Sequence, residues 1–242
     1  MNLPNAITVG RILVTPLVAF LPFVNSATVR FLAFLLFLAA AITDYWDGAL
    51  ARSRNLVTDL GKILDPLADK LLLLGTFVPM YVLGGGRDSW SPFAAPDFFS
   101  LDPNAAGWAR DFPLVTPFGP LGMPLWILLV VLGREALMTL FRQIASKRGL
   151  AIGAIGPAKW KTGFQWTWVG ATYFWFGYAT LLVSRSWQPS GGLRRAAIGF
   201  AYFNGLVVLV SMTVAVILTL YSLWLYFQRY GYMLRPARTP AR

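Results

Sequence analysis

The sequence predicts an all-α, polytopic membrane protein with six transmembrane helices and both termini cytoplasmic. Three observations carry that expectation. Hydrophobic residues fill 57% of the 242 positions and charged residues only 13%, against about 45–50% and about 25% in an ordinary soluble domain. The excess gathers into six separated apolar stretches, at about 12–24, 31–50, 63–84, 121–141, 164–184 and 197–227. A helix needs roughly 20 residues to cross a hydrocarbon core of about 30 Å. The cations are also unevenly divided between alternate connections. One side receives Arg52, Arg54, Lys62, Arg142, Lys147, Arg148, Lys159, Lys161, Arg229, Arg235, Arg238 and Arg242; the other receives Arg30, Arg87, Arg110, Arg185, Arg194 and Arg195. Positive charge concentrates on the cytoplasmic side, so this bias fixes the orientation. The net charge of +11 would point to nucleic acid in a soluble protein; here orientation and anionic lipid account for it, and no nucleic-acid partner is expected.

The first stretch has no basic residue before Arg11 and is interrupted by Pro16 and Pro22, so it reads as an uncleaved first helix rather than a signal peptide. The second and third stretches are joined by a short basic loop. The longest connection, about 85–120, lies on the outer face and is rich in Gly, Pro, Asp and aromatic residues. Its Trp90, Phe93, Phe98, Phe99 and Trp108 suit the interfacial zone, where aromatic rings are at home. The sixth stretch is too long for one upright crossing and is expected to tilt or to run past the membrane. Nothing divides the chain, so 1–242 reads as one membrane domain.

The absence of Cys and His removes thiolate nucleophiles, zinc sites and every His-based triad. Catalysis would have to run on carboxylates, hydroxyls, Lys or Arg. Of ten acidic residues, Asp44, Asp47, Asp59, Asp65 and Asp69 fall in one short region. Asp44 and Asp47 stand three apart and Asp65 and Asp69 four apart, spacings that put each pair on one helix face. The first pair closes the second apolar stretch and the second pair opens the third, so a helix hairpin would bring four carboxylates together at the cytoplasmic boundary. Like charges at close range need compensating cations. Oxygen ligands without His or Cys suit Mg²⁺, Mn²⁺ or Ca²⁺, and paired ions serve phosphoryl transfer. The plainer alternative is a set of surface aspartates at helix ends, with Asp65 capping a helix that has Pro66 at its first position.

The run Asp44-Tyr45-Trp46-Asp47-Gly48-Ala49-Leu50-Ala51-Arg52, followed by Gly61, Asp65 and Asp69, resembles the signature of the CDP-alcohol phosphotransferases. All eight of the family's fixed positions are present. The resemblance implies an enzyme that displaces CMP from a CDP-linked lipid or alcohol by an acceptor hydroxyl, with two divalent cations, Mg²⁺ or Mn²⁺, as cofactors. It implies that Asp44, Asp47, Asp65 and Asp69 hold the metals and that Asp69 also takes the acceptor's proton. Gly48, Ala51, Arg52 and Gly61 would line the nucleotide-binding face. Homodimers are common in the family, and a homodimer is a further expectation.

The acceptor is read from a second, basic cluster. Arg134 and Arg142 are near two helical turns apart, and Arg134-Glu135 interrupts an apolar run. An ionisable residue at such depth normally faces a polar cavity. Arg134, Arg142 and Lys159 would together bind an acceptor that carries its own phosphate, whereas Lys147, Arg148 and Lys161 read as charge for anionic head groups. The segment from Gly133 to Arg142, the run Lys159-Trp160-Lys161-Thr162 and the opening Asn2-Leu3-Pro4-Asn5-Ala6-Ile7-Thr8 with Arg11 resemble the bacterial phosphatidylglycerophosphate synthases of that family. That implies transfer of a phosphatidyl group from CDP-diacylglycerol to glycerol 3-phosphate, in the bacterial cytoplasmic membrane, with the active site facing the cytoplasm. By the same analogy Asn5, Thr8 and Arg11 would border the nucleotide site. Rival acceptors are inositol phosphate and phosphatidylglycerol. A cation-coupled transporter is the rival from another class, and it would disperse its acids at mid-membrane over several helices. A non-catalytic membrane partner would have no need of all four aspartates.

Overall fold

The computed structural model describes residues 3–53, 59–84, 114–147, 156–183 and 190–231, which are mostly helical. Six helices follow in chain order: α1 (Leu3–Phe20), α2 (Ala27–Ser53), α3 (Asp59–Leu83), α4 (Leu125–Lys147), α5 (Gly156–Val183) and α6 (Gly191–Tyr230). A 3₁₀ turn, Leu21–Phe23, follows α1, and a hairpin of β1 (Leu114–Thr116) and β2 (Gly119–Leu121) precedes α4. Residues 85–113, most of the long connection, lie outside the described part, as do the aromatic residues assigned there to the interface.

The surface inverts that of a soluble protein. Leu13, Phe20, Leu129, Phe203 and Ile217 are largely exposed, while Thr8, Arg11, Arg30, Arg134 and Lys161 are buried. Apolar groups outward and polar groups inward suit a solvent of hydrocarbon. Among the described residues four segments are long and apolar enough to cross a membrane: Asn5–Phe23, Ala27–Asp44, Leu64–Leu83 and Gly191–Tyr230. Helix α4 is not among these four, and neither is α5. It packs on α2, α3 and α6 and buries Trp168, Tyr173, Trp175 and Phe176 among them. Its side chains meet other helices more than lipid, so uniform apolarity is not demanded of it. The 40 residues of α6, at about 1.5 Å each, reach about 60 Å, twice the hydrocarbon core. The helix is therefore too long for one upright crossing, as its apolar stretch suggested.

Helix order does not give the neighbours that a simple hairpin would. The first helix packs closely on both α2 and α3, while among the described residues α2 and α3 touch each other little. Tyr173 of α5 ties this group together: its hydroxyl donates to the carbonyls of Val18 (3.2 Å) and Gly75 (3.1 Å). The ring of Phe37 stacks on Trp166 and Tyr173, and Phe77 meets Trp168 edge to face. Away from the acidic end, Arg30 is buried rather than solvated; its Nε donates to the Pro22 carbonyl at 2.8 Å, and it also donates to the Thr180 hydroxyl. That contact pins the α1–α2 turn to α5.

The hairpin was not expected from the sequence. Gly119 has φ of 119°, which favours Gly, and Thr116 closes the turn by donating to the Gly119 carbonyl at 2.7 Å. The hairpin rests on α6 at Gly205, where any Cβ would overlap the Val115 carbonyl. Gly205 lies about 20 Å along α6 from its start, at a rise of about 1.5 Å per residue.

Candidate active site

The acidic half of the site is built by α1, α2 and α3. Helix α2 runs unbroken through Asp44 and Asp47 to Ser53, and α3 begins at Asp59. Pro66 therefore stands inside α3, and Asp65 is not a cap. Thr8 and Arg11, three apart on α1, meet the acids from the helix between. The Thr8 hydroxyl donates to Asp65 at 2.9 Å. The buried Arg11 guanidinium pairs with Asp44, and the same nitrogen lies 3.4 Å from Asp69. Asp44 and Asp69 are within hydrogen-bonding reach of each other, with Asp65 close enough for its charge to act on Asp69. The Asp69 side chain is 60% exposed, so it can reach a ligand.

Two carboxylates thus share one guanidinium while a third, Asp65, takes the Thr8 hydroxyl, and the three acids outnumber that cation. Among the described residues no three acidic side chains are grouped closely enough to hold one ion; the donors occur as a pair, Asp44 with Asp69, and as Asp65 beside it. Oxygen donors of this kind, with excess negative charge and no soft ligand, fit a hard divalent cation. The side chains of Asp47, Gly48, Ala51 and Arg52 lie outside the described part, although α2 carries their backbone in its last turns. Gly61 is buried on α3.

The basic half is built by α4, α5 and α6. Arg134 is buried and donates to Glu135 at 2.8 Å and to the Ser222 hydroxyl of α6 at 3.3 Å. The chemistry that sequence reasoning missed is at Lys161. It was taken as charge for head groups, yet it is buried and its ammonium donates to the same Glu135 oxygen. Arg142 is exposed, but its charge still acts on Lys161. The Lys159 side chain lies outside the described part.

One cavity joins the two halves. It holds about 150 Å³ and is lined by Asp44, Asp69 and Lys70 from α2 and α3 and by Glu135, Lys161 and Gln165 from α4 and α5, with Phe37, Phe77 and Trp166 beside them. That volume is the size of a cavity that takes a benzene-sized molecule. A ligand there meets carboxylates of both halves and the buried Lys161 ammonium.

Comparison with known proteins identifies the family. A profile of the CDP-alcohol phosphatidyltransferase family matches residues 1–232. The Rickettsia typhi protein named CDP-diacylglycerol–glycerol-3-phosphate 3-phosphatidyltransferase is 51% identical over 72 residues, which is 30% of this chain and 40% of that one. An Arabidopsis thaliana chloroplastic/mitochondrial protein of the same name is 31% identical over 171 residues, 69% of this chain and 49% of its own. A rice protein named cardiolipin synthase (CMP-forming) is 29% identical over 175 residues, 69% of this chain and 44% of its own. The chain spans half or less of the length of these relatives. Family-wide matching from the first residue to the C-terminal end of α6, together with the aspartates on facing helices, leads to one conclusion: the chain belongs to the CDP-alcohol phosphatidyltransferase family.

Proposed function

We propose that this chain transfers a phosphatidyl group from CDP-diacylglycerol to glycerol 3-phosphate, releasing CMP and forming phosphatidylglycerophosphate. The observation that carries the reading is the shared cavity, which Asp44 and Asp69 line together with Lys161. An acceptor with a hydroxyl to activate and a phosphate to anchor needs both kinds of group. The printed names of the Rickettsia and Arabidopsis relatives support the same acceptor.

In this reading the acceptor phosphate is held by Arg134, Lys161, Arg142 and Lys159, charge-assisted contacts that are strong in a buried setting. The anchored hydroxyl then lies near Asp69, and a carboxylate at hydrogen-bonding distance serves as general base. The hydroxyl oxygen attacks the phosphatidyl phosphorus and its proton passes to Asp69. The phosphoanhydride bond breaks, and CMP leaves with the bonding electrons. Gly48, Ala51, Arg52 and Gly61 would, in this reading, serve the CDP group. Asp44, Asp47, Asp65 and Asp69 would hold two divalent ions, Mg²⁺ or Mn²⁺, which when bound neutralise the pyrophosphate and stabilise the departing CMP. In this reading the chain crosses a bacterial cytoplasmic membrane six times, with both termini and the site on the cytoplasmic side, where nucleotides are.

The rice relative's name favours a second reading, with phosphatidylglycerol as acceptor. Purified protein in detergent, given CDP-diacylglycerol and Mg²⁺ or Mn²⁺, should release CMP with glycerol 3-phosphate. Release with inositol phosphate or phosphatidylglycerol instead would keep the aspartate site and overturn the acceptor. No release from folded protein with any of these would overturn the transferase reading and bring back the transporter.

A further inference from the structure

A carboxylate stands where the acceptor's phosphate is wanted. One oxygen of Glu135 accepts from Arg134 at 2.8 Å and from the Lys161 ammonium, so a single negative charge lies between the two buried cations. Arg134 and Lys161 are enclosed, whereas the Glu135 side chain keeps 29% of its surface open and lines the cavity. Of the three, Glu135 is the one with room to move. Ser222 approaches Arg134 from α6 at 3.3 Å and continues to orient the guanidinium after the carboxylate leaves.

We propose that Glu135 is an internal stand-in for the acceptor's phosphate: a positioning residue that holds Arg134 and Lys161 together at the edge of the cavity and gives way only to a ligand more negative than itself. The identity of that ligand as a phosphorylated alcohol rests on the transferase reading; the exchange of one anion for another does not. A phosphate monoester carries about −1.5 to −2 charges near pH 7 and three acceptor oxygens, so it satisfies both cations at once. A neutral alcohol brings no charge, and its entry would leave two buried cations and a carboxylate apart, which is costly. Glu135 thus rejects unphosphorylated acceptors by a penalty, in addition to the attraction that Arg134 and Lys161 exert on phosphorylated ones.

The test is calorimetric titration of inorganic phosphate into the full chain in detergent at pH 7, with a chelator present so that no divalent ion carries the phosphate. Wild type, Glu135→Asp and Glu135→Gln are compared, each with a thermal melt. Glu135→Gln removes the competing charge and should bind phosphate roughly tenfold more tightly, because uncompensated buried cations gain most from an arriving anion. Glu135→Asp keeps the charge on a shorter arm and should fall between. The KM for glycerol 3-phosphate should drop in the same order. Equal or weaker phosphate binding by folded Glu135→Gln would overturn the proposal and leave Glu135 a structural counter-ion. Should that variant not fold, the Asp variant decides alone: tighter binding supports the exchange, and equal or weaker binding overturns it. If the phosphate order holds while no protein releases CMP with any acceptor, the transferase reading fails and the exchange stands.

Discussion

The two halves of the site solve opposite charge problems with the same device. In the α1–α2–α3 half, acids predominate and a buried cation, Arg11, stands among them. In the α4–α5–α6 half, cations predominate and an acid, Glu135, stands among them. The halves differ in access. Asp69 is well exposed while Arg134 and Lys161 are buried. Groups that exchange ions and nucleotide have to meet water, whereas a phosphate anchor gains strength from being dry. The difference teaches that each half holds its own charges in place before substrate arrives.

The sharpest way to break this comparison is at Asp69. Asp69→Asn should lower transfer by roughly 10²–10⁴-fold, the usual contribution of a general base, while the protein melts normally; CMP release measures it, and full activity would remove Asp69 from the reaction. Next comes the anchor. Lys161→Gln should raise the KM for glycerol 3-phosphate by roughly 10–100-fold, the loss expected for a charge-assisted contact of about 1.5–3 kcal/mol. Exposed Arg142→Gln should raise it only by roughly two- to fivefold, because solvent screens it. Equal effects would mean that burial does not rank the cations.

A smaller effect tests Arg11. Arg11→Gln leaves Asp44 and Asp69 facing each other without their cation, and should cost about 1–3 kcal/mol of stability when a chelator removes divalent ions. Thermal unfolding in Mn²⁺ should close much of that gap; a gap of the same size in both conditions would make Arg11 a packing residue only. The smallest effect belongs to Tyr173, whose hydroxyl links α5 to α1 and α3. Tyr173→Phe should cost about 1 kcal/mol in a melt and leave the KM for glycerol 3-phosphate unchanged.

The acidic half was legible in the sequence because its residues sit close together at helical spacings on two adjacent helices. The basic half was less so, since Arg134, Lys161 and Ser222 come from three helices that nothing local brings together. Lys159 and Lys161 show the limit well. Nothing in their spacing says that Lys161 is buried against Glu135. Arg11 was visible as a polar residue in an apolar stretch, but its partners depend on α1 lying between α2 and α3, and chain order alone suggests the simpler hairpin. The β-hairpin gave no apolar alternation to read, because its strands are three residues long.

That hairpin has a consequence for biosynthesis. Val115 rests on Gly205, which the ribosome makes long afterwards. The α3–α4 connection must therefore wait beside a growing chain until the sixth helix arrives to cover it. A nascent protein cut short before α6 would keep this backbone without its seat. Late arrival of the last helix makes completion of synthesis, rather than insertion of the first helices, the step at which the hairpin gains its support.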